Sequence, residues 1–481
     1  MKRSLAADSL KDIFTPLQRA HEAFASRYPG PRGDRQPVHT VYGGAHLFRA
    51  DTATRLGKRA LEALDEYAPD FITLAKAIEL PGADDFGVSH DAVTSLAKSI
   101  ERDPEAARRE NRSAWFAYTL YQRVREKLQR EPVEDFRIDF EDGFGNRPDD
   151  EEDRYAAAAA GEVAAGMAAG SLPPFIGLRI KPFNEELRNR SVRTLDIFLT
   201  ELLGKTGGQL PQNFFITLPK VTIPEESAAL AAVCSRLESA LTLRAGTLRV
   251  ELMIETPQSI FNERGELNLL PLAAAAQGRC VGAHFGTYDY TAGRGITAAH
   301  QHMMHFACDF AKEAMQVAYA GTAIWLSDGA TNILPVPVHA QGKDSGRLSA
   351  SEIGENRMAV HAAWKLHFEH IRHSLVNGFY QGWDLHPAQL VTRYAAVYSF
   401  FLESLDAASE RLRNFIVKAA QATLVGEVFD DAATGQGLLN YFLRAINCGA
   451  ITAEEAQRLS GLTQAEFRSA SFVKILDGRK K

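Results

Sequence analysis

The chain has 481 residues, 45% of them hydrophobic and 24% charged, and its 54 Lys and Arg stand against 60 Asp and Glu for a formal net charge of −6. Charges this evenly balanced offer no basic stripe to a phosphate backbone, so nucleic acid is excluded as the expected partner. The length suits roughly three domains or one large domain with additions. No apolar run long enough for a membrane span is present, and the amino terminus lacks the apolar stretch of a signal peptide, so a cytoplasmic protein with no membrane partner is expected.

Residues 1–36 read as an amino-terminal helical segment broken by the Pro/Gly-rich stretch at Pro29 to Pro37. Val38 to Tyr42 is a β-rich run ended by Gly43 and Gly44, and the spacing of Leu56, Ala60, Leu61 and Leu64 predicts a helix after it. Residues 69–134 are polar, charged and mostly helical in pattern, an expected insertion packed outside the strands. From Phe136 a unit recurs in which a short apolar run is followed by a helical stretch. Its strand candidates are Phe136 to Phe140, Phe175 to Ile180, Phe214 to Leu218, Arg249 to Ile254 and Val281 to Phe285. Helices are expected between them at Glu152 to Ala169, Glu186 to Leu203, Glu225 to Leu243 and Gln258 to Ala276. Weaker strands near Ala323 to Leu326 and Gly378 to Leu385 bring the count to about eight, which fits an α/β (β/α)8 TIM barrel. The barrel is expected over residues 37–395. Residues 396–481 are expected to be a helical extension, with a long helix from Tyr394 to Ala422 and capping boxes at Thr452 to Glu455 and Thr463 to Glu466.

In such a barrel, functional side chains lie where strands pass into loops. The expected strand ends are unusually charged: Asp139, Glu141 and Asp142; Arg179 and Lys181; Lys220; Glu255; Asp289; Asp384 and His386. Glu255 follows a largely apolar run, where a carboxylate needs a compensating partner. Asp289 ends the next unit, so adjacent strands would present both carboxylates together. Two or three carboxylates with water suit Mg²⁺, although salt bridges to Arg179 or Lys220 would also account for the pair. Arg179 offers a permanently charged fork for a substrate carboxylate or an enolate oxygen. Cys234, Cys280, Cys308 and Cys448 show neither CxxC nor Cys/His spacing, which argues against disulfides and zinc.

The strand ends resemble those of the superfamily that contains malate synthase, the citrate lyase β subunit and HpcH/HpaI-type aldolases. Ile138-Asp-Phe-Glu-Asp142 is similar to the lyase "DLED", Leu178-Arg-Ile180 to "LRIN", Leu218-Pro-Lys-Val221 to "PKV" and Met253-Ile-Glu-Thr-Pro257 to "IET". Gly382-Trp-Asp-Leu-His-Pro-Ala-Gln389 resembles "xxxIHPxQ". Gly286-Thr-Tyr-Asp-Tyr290 and Val428-Phe-Asp-Asp-Ala-Ala-Thr434 resemble the malate synthase blocks "GRWDY" and "LMEDAAT". The "RPRGWH" loop of that family is replaced here by Arg179-Ile-Lys-Pro-Phe183. The resemblance implies Glu255 and Asp289 as ligands of Mg²⁺, with Mn²⁺ as a substitute, Arg179 as the oxyanion-stabilising residue and Asp431 as the base. Glu141, Asp142, Lys220, Gly286, Thr287, His386 and Pro387 are expected to bind substrate or support the site. The implied reaction makes or breaks a carbon–carbon bond of a small 2-oxo acid, with a CoA thioester as co-substrate in the synthase direction and none in the aldolase direction. A homo-oligomer is compatible with this, and a non-catalytic relative is the third reading.

Overall fold

The computed structural model describes residues 10–30, 32–87, 89–340, 347–417, 423–425, 428–430 and 432–479. Eight parallel strands close into a barrel in chain order: β1 (His39–Gly44), β2 (Asp135–Asp139), β3 (Phe175–Arg179), β4 (Phe214–Leu218), β5 (Arg249–Ile254), β6 (Cys280–Phe285), β7 (Trp325–Ala330) and β8 (Gln381–Asp384). β8 pairs back onto β1, His39 opposite Gly382, and this closes the ring. The expected TIM barrel is the observed fold. β4 and β5 have the expected bounds, whereas β7 begins two residues later than expected and runs on to Ala330.

Alternation along the strands sends one set of side chains outward and one inward. Phe214 of β4 points outward, its ring 6.0 Å from that of Phe198. Inside, Arg137 of β2 reaches across to β4 and β5, donating to Thr217 Oγ1 at 3.0 Å and through Nη2 to Glu251 Oε2 at 2.7 Å. Its Nη1 donates to Asp135, whose other oxygen accepts from Thr40 Oγ1 at 2.8 Å. The lower barrel is therefore packed with paired charges. Gly177 of β3 permits a close approach there: a Cβ would stand 2.0 Å from the Phe215 carbonyl oxygen.

The helices follow in sequence. α1 (Lys11–Arg27) buries none of its residues. α2 (Thr52–Tyr67) follows β1, and α3 (Phe71–Ala77), α4 (His90–Arg102), α5 (Pro104–Glu110) and α6 (Arg112–Arg130) form the insertion. The polar composition of that insertion conceals an apolar face, since α6 buries Phe116, Leu120, Tyr121, Val124 and Leu128. α7 (Asp149–Ala169), α8 (Arg188–Thr206) and α9 (Pro224–Ala240) cover the outer face of the barrel. Four acidic residues open α7, where they complement the helix dipole, and Gly170 caps it in a left-handed conformation.

The single helix expected from Gln258 to Ala276 is instead two short ones, α10 (Pro257–Ile260) and α11 (Leu269–Ala275). Between them Asn262 Oδ1 accepts the amides of Arg264 and Glu266, a turn that interrupts the helical ladder. α12 (Thr287–Gly293), α13 (Phe306–Tyr319) and α14 (Ala350–Val376) complete the barrel units. α15 (Gln389–Val417) starts five residues before Tyr394 and runs through the boundary expected between residues 395 and 396, with every residue from Gln389 to Ser399 buried. Beyond it lie the short antiparallel strands β9 (Thr423–Val425) and β10 (Val428–Asp430), then α16 (Ala432–Cys448), α17 (Ala453–Ser460), α18 (Gln464–Ser469) and α19 (Phe472–Arg479). Both expected capping boxes, on Thr452 and Thr463, are formed. Among the described residues no helix is long and apolar enough to cross a membrane.

Candidate active site

Asp139 and Arg179 end β2 and β3, Lys220 and Glu255 follow β4 and β5, and Gly286, Thr287 and Asp289 follow β6. Parallel closure brings all of them to one rim of the barrel. A cavity of about 360 Å³ lies there, lined by Asp139, Asp142, Arg179, Glu255, Gly286, Thr287 and Asp289 together with Tyr42, Tyr288 and Trp383.

Arg179 is buried, and its Nε and Nη2 donate to the two oxygens of Asp139 at 2.8 and 2.5 Å. Its guanidinium carbon lies 4.7 Å from the centre of the Tyr42 ring. Fork and stack together fix the plane of the group. Nη1, outside the fork, stands 3.0 Å from Glu141 Oε2. Burial opposes the charge, but Asp139 and Glu141 outweigh it and hold Arg179 firmly protonated.

Lys220 adopts the left-handed region at φ 52°. That conformation costs a residue with a Cβ, and here it accompanies an amide that donates to Glu255 Oε1 at 2.7 Å. The Lys220 ammonium pairs with Glu141 and stands 3.3 Å from Asp142 Oδ1 and 3.8 Å from Asp289 Oδ2. The salt bridges that a merely charged rim would make are thus present, yet they leave the site short of positive charge. Burial first, then the neighbouring carboxylates of Glu141 and Asp289, push Glu255 up to about 8 against the pull of Arg179 and Lys220. Gly286 leaves room beside it: a Cβ there would fall 2.4 Å from Glu255 Oε2. Among the described residues the buried Thr287 Oγ1 has no hydrogen-bond partner, and Glu141 Oε2 has only its ion pair with Arg179.

These features fit a divalent cation held by Glu255 and Asp289. A cation would lower the raised pKa of Glu255, and Mg²⁺ characteristically takes one or two carboxylates while water and substrate oxygens complete its shell. Among the described residues no group of three or more His, Cys, Asp and Glu side chains is placed to hold a metal ion.

Other candidates go elsewhere. His386 and Pro387 line an adjoining cavity of about 400 Å³, which shares Tyr42 and Leu385 with the first and also meets Leu47, Arg55 and Arg59. Lys181 turns away to the Phe140 carbonyl and Glu152. Asp384 is tied into a buried cluster with Arg393 and His39. Asp431 lies outside the described residues. Sequence reasoning did not single out Tyr42 and Trp383, whose rings lie 4.6 Å apart against Arg179, nor Asp139 as the group that orients it. Their signal was faint: each is one polar or aromatic residue at an inward position of a strand.

Fold and site together define a (β/α)8 barrel with an acidic, arginine-anchored cavity at the carboxyl ends of its strands. The chain belongs to the family described as Domain of unknown function (DUF6986), which it matches over residues 17–475. No curated protein matches the sequence. Among solved structures it is similar to a citrate lyase from Burkholderia xenovorans LB400, at 18% identity and a TM-score of 0.50, covering 71% of this chain and 92% of that one. It is also similar to a malate synthase from Haloferax volcanii in a magnesium and glyoxylate complex, at 14% identity and a TM-score of 0.41, covering 75% and 93%. Likeness to the citrate lyase at this identity speaks for the fold alone.

Proposed function

We propose that the protein is a Mg²⁺-dependent carbon–carbon bond enzyme that joins a small 2-oxo acid, glyoxylate or pyruvate, to an acyl-CoA in a malate synthase-like condensation. The observation that carries this reading is Glu255, a buried carboxylate pushed up to about 8 by burial and by Glu141 and Asp289 in a cavity anchored by Arg179. Glu255 and Asp289 would hold the ion, and Mn²⁺ would serve in the same place. Bound there, it would supply a Lewis acid that polarises the 2-oxo carbonyl.

Every other role falls to the chain. Arg179, its plane fixed by Asp139 and Tyr42, presents Nη1 to the negative charge that develops on the enolate oxygen. Asp431, assigned by resemblance, removes the proton next to the thioester carbonyl. Tyr42 and Trp383 wall the cavity and limit water. The adjoining cavity, apolar at Leu47, Phe48 and Leu390 and bordered by Arg55 and Arg59, supports a place for the acyl-CoA arm and its phosphates.

The test is to supply acetyl-CoA or propionyl-CoA with glyoxylate or pyruvate and follow free thiol. Release should stop with chelator, return with Mg²⁺ or Mn²⁺, and fall by about 100-fold or more in Asp431→Asn. Absence of thiol release with every acyl-CoA would remove the condensation. A second reading, aldolase-type cleavage of a 2-oxo-4-hydroxy acid or citramalyl-type substrate, is favoured by one observation: the carboxylate pair, Arg179 and Lys220 stand together at one rim among the described residues. That reading expects pyruvate to be released and Asp431→Asn to have little effect. Ion binding without turnover in either assay would leave the non-catalytic relative.

A further inference from the structure

At the opposite end of the barrel, where β7 and β8 begin, a third cavity of about 290 Å³ separates the strands from α16. Its walls include Arg444, Asn440 and Asn447 of α16, Tyr380, Trp325 at the start of β7, and the pair Arg32 and Asp34. Arg444 lies flat on Tyr380, its guanidinium carbon 3.7 Å from the ring centre. Its hydrogen bond is a long one, from Nη1 to Gln36 Oε1 at 3.5 Å. Among the described residues no carboxylate pairs with it. Arg32, by contrast, stacks on Trp325 at 3.9 Å and is paired with Asp34 at 2.9 Å.

A guanidinium that is stacked, largely enclosed and without a counter-charge is costly unless something else brings that charge. Burial accordingly lowers the pKa of Arg444, against a smaller opposing pull from Tyr380 and Cys448. The stack occupies a face of the group and its edge carries only the long bond to Gln36 among the described residues, and the edge is the part that takes a bidentate oxyanion. The volume suits a small metabolite.

We propose that this cavity is a second ligand site, for a small carboxylate or phosphate whose oxygens pair with Arg444. Its occupant bridges the barrel to α16, the helix that begins one residue after Asp431 in the sequence. The inference stands apart from the proposed reaction, because it concerns the other end of the barrel.

The test uses the full chain and two probes, inorganic phosphate and succinate, titrated separately at constant ionic strength with heat and melting temperature as readouts. At least one probe should bind saturably at one equivalent per chain and raise the melting temperature. Phosphate alone would mark a phosphate ester as the ligand class, and succinate alone a carboxylate. Arg444→Met should abolish the binding, and Arg444→Lys should weaken it by about tenfold or more because the fork and the stack are lost. Arg179→Met should leave it intact. Unliganded Arg444→Met should melt no lower than the parent, since an uncompensated charge has been removed. The proposal is overturned if neither probe binds saturably, if binding survives Arg444→Met, or if Arg179→Met removes it. A large fall in the melting temperature of unliganded Arg444→Met would also overturn it, because the guanidinium would then be compensated already.

Discussion

At Glu255 the demands of folding and of binding oppose each other. Its carboxyl moves from an ordinary value of 4.5 to about 8 in the fold. A raised acid favours the folded state fully below 4.5 and loses that contribution as pH rises through 8. Glu255→Gln removes the ionisation. The substitution should therefore raise the melting temperature of the metal-free protein at pH 8, by roughly 2–4 °C, and change it little at pH 4.5. It should also remove the stabilisation that Mg²⁺ gives the parent. Thermal melts at the two pH values, each with and without Mg²⁺, check both parts; a variant that melts lower than the parent at pH 8 would show that the charge is already compensated. Arg179 is the counterpart. Its partner Asp139 directs the guanidinium rather than merely neutralising it, since both oxygens are used.

Among the elements, β3 carries Arg179 into the cavity and depends on Gly177 to lie close to β4. A methyl group there would meet the Phe215 carbonyl at 2.0 Å, and a backbone atom in a closed barrel cannot move aside cheaply. Gly177→Ala should cost at least about 1–3 kcal/mol and displace Arg179, so stability and turnover fall together. Gly204, near the end of α8, has nothing within 4 Å of its would-be Cβ. Gly204→Ala should leave activity intact and be neutral or stabilising by up to about 1 kcal/mol. Denaturant melts of the pair measure the contrast; equal effects would mean that β3 is not under this steric constraint. The helices teach a related lesson. The capping boxes at Thr452 and Thr463 rest on bonds spanning three residues and formed as expected. The helix expected across Gln258 to Ala276 did not, because the Asn262 side chain competes for its amides.

For the whole molecule, the distinctive feature is a barrel interior filled with ion pairs. Arg137, Asp135 and Glu251 are all buried, and each needs the others. Arg137→Met would strand two carboxylates and should cost about 3–5 kcal/mol. Replacing Asp135 and Glu251 as well, by Asn and Gln, should restore much of the loss. Unfolding free energies of the single, double and triple variants test the coupling, and additive losses would show that the charges act separately. Glu251 lies within β5, four residues before Glu255, and faces the same interior, yet Arg137 and His284 hold its carboxyl well below the usual range against its burial. β5 thus holds a carboxylate paired with Arg137 in the lower barrel and leads into one pushed up at the rim.

The order of strands and helices was legible in the sequence because apolar runs, their periodicity and the turn residues between them are local signals. Most of the rim was legible too, since Arg179, Lys220, Glu255 and Asp289 all stand where apolar runs stop. The interior network was not. Alternating charged and apolar residues, as in Asp135-Phe-Arg-Ile-Asp139, would suit a strand with one face in water, and only closure of the ring turns that face into a sealed interior. Pairings between strands, Asp139 with Arg179 on the adjoining β3 or Arg137 with Glu251 across the barrel, depend on strand register and on which residues face inward at the same height. The apolar face of α6 became visible only once α15 lay beside it. Local chemistry wrote the elements and the rim into the chain; the choice of partners waited for the geometry that brings distant segments within reach.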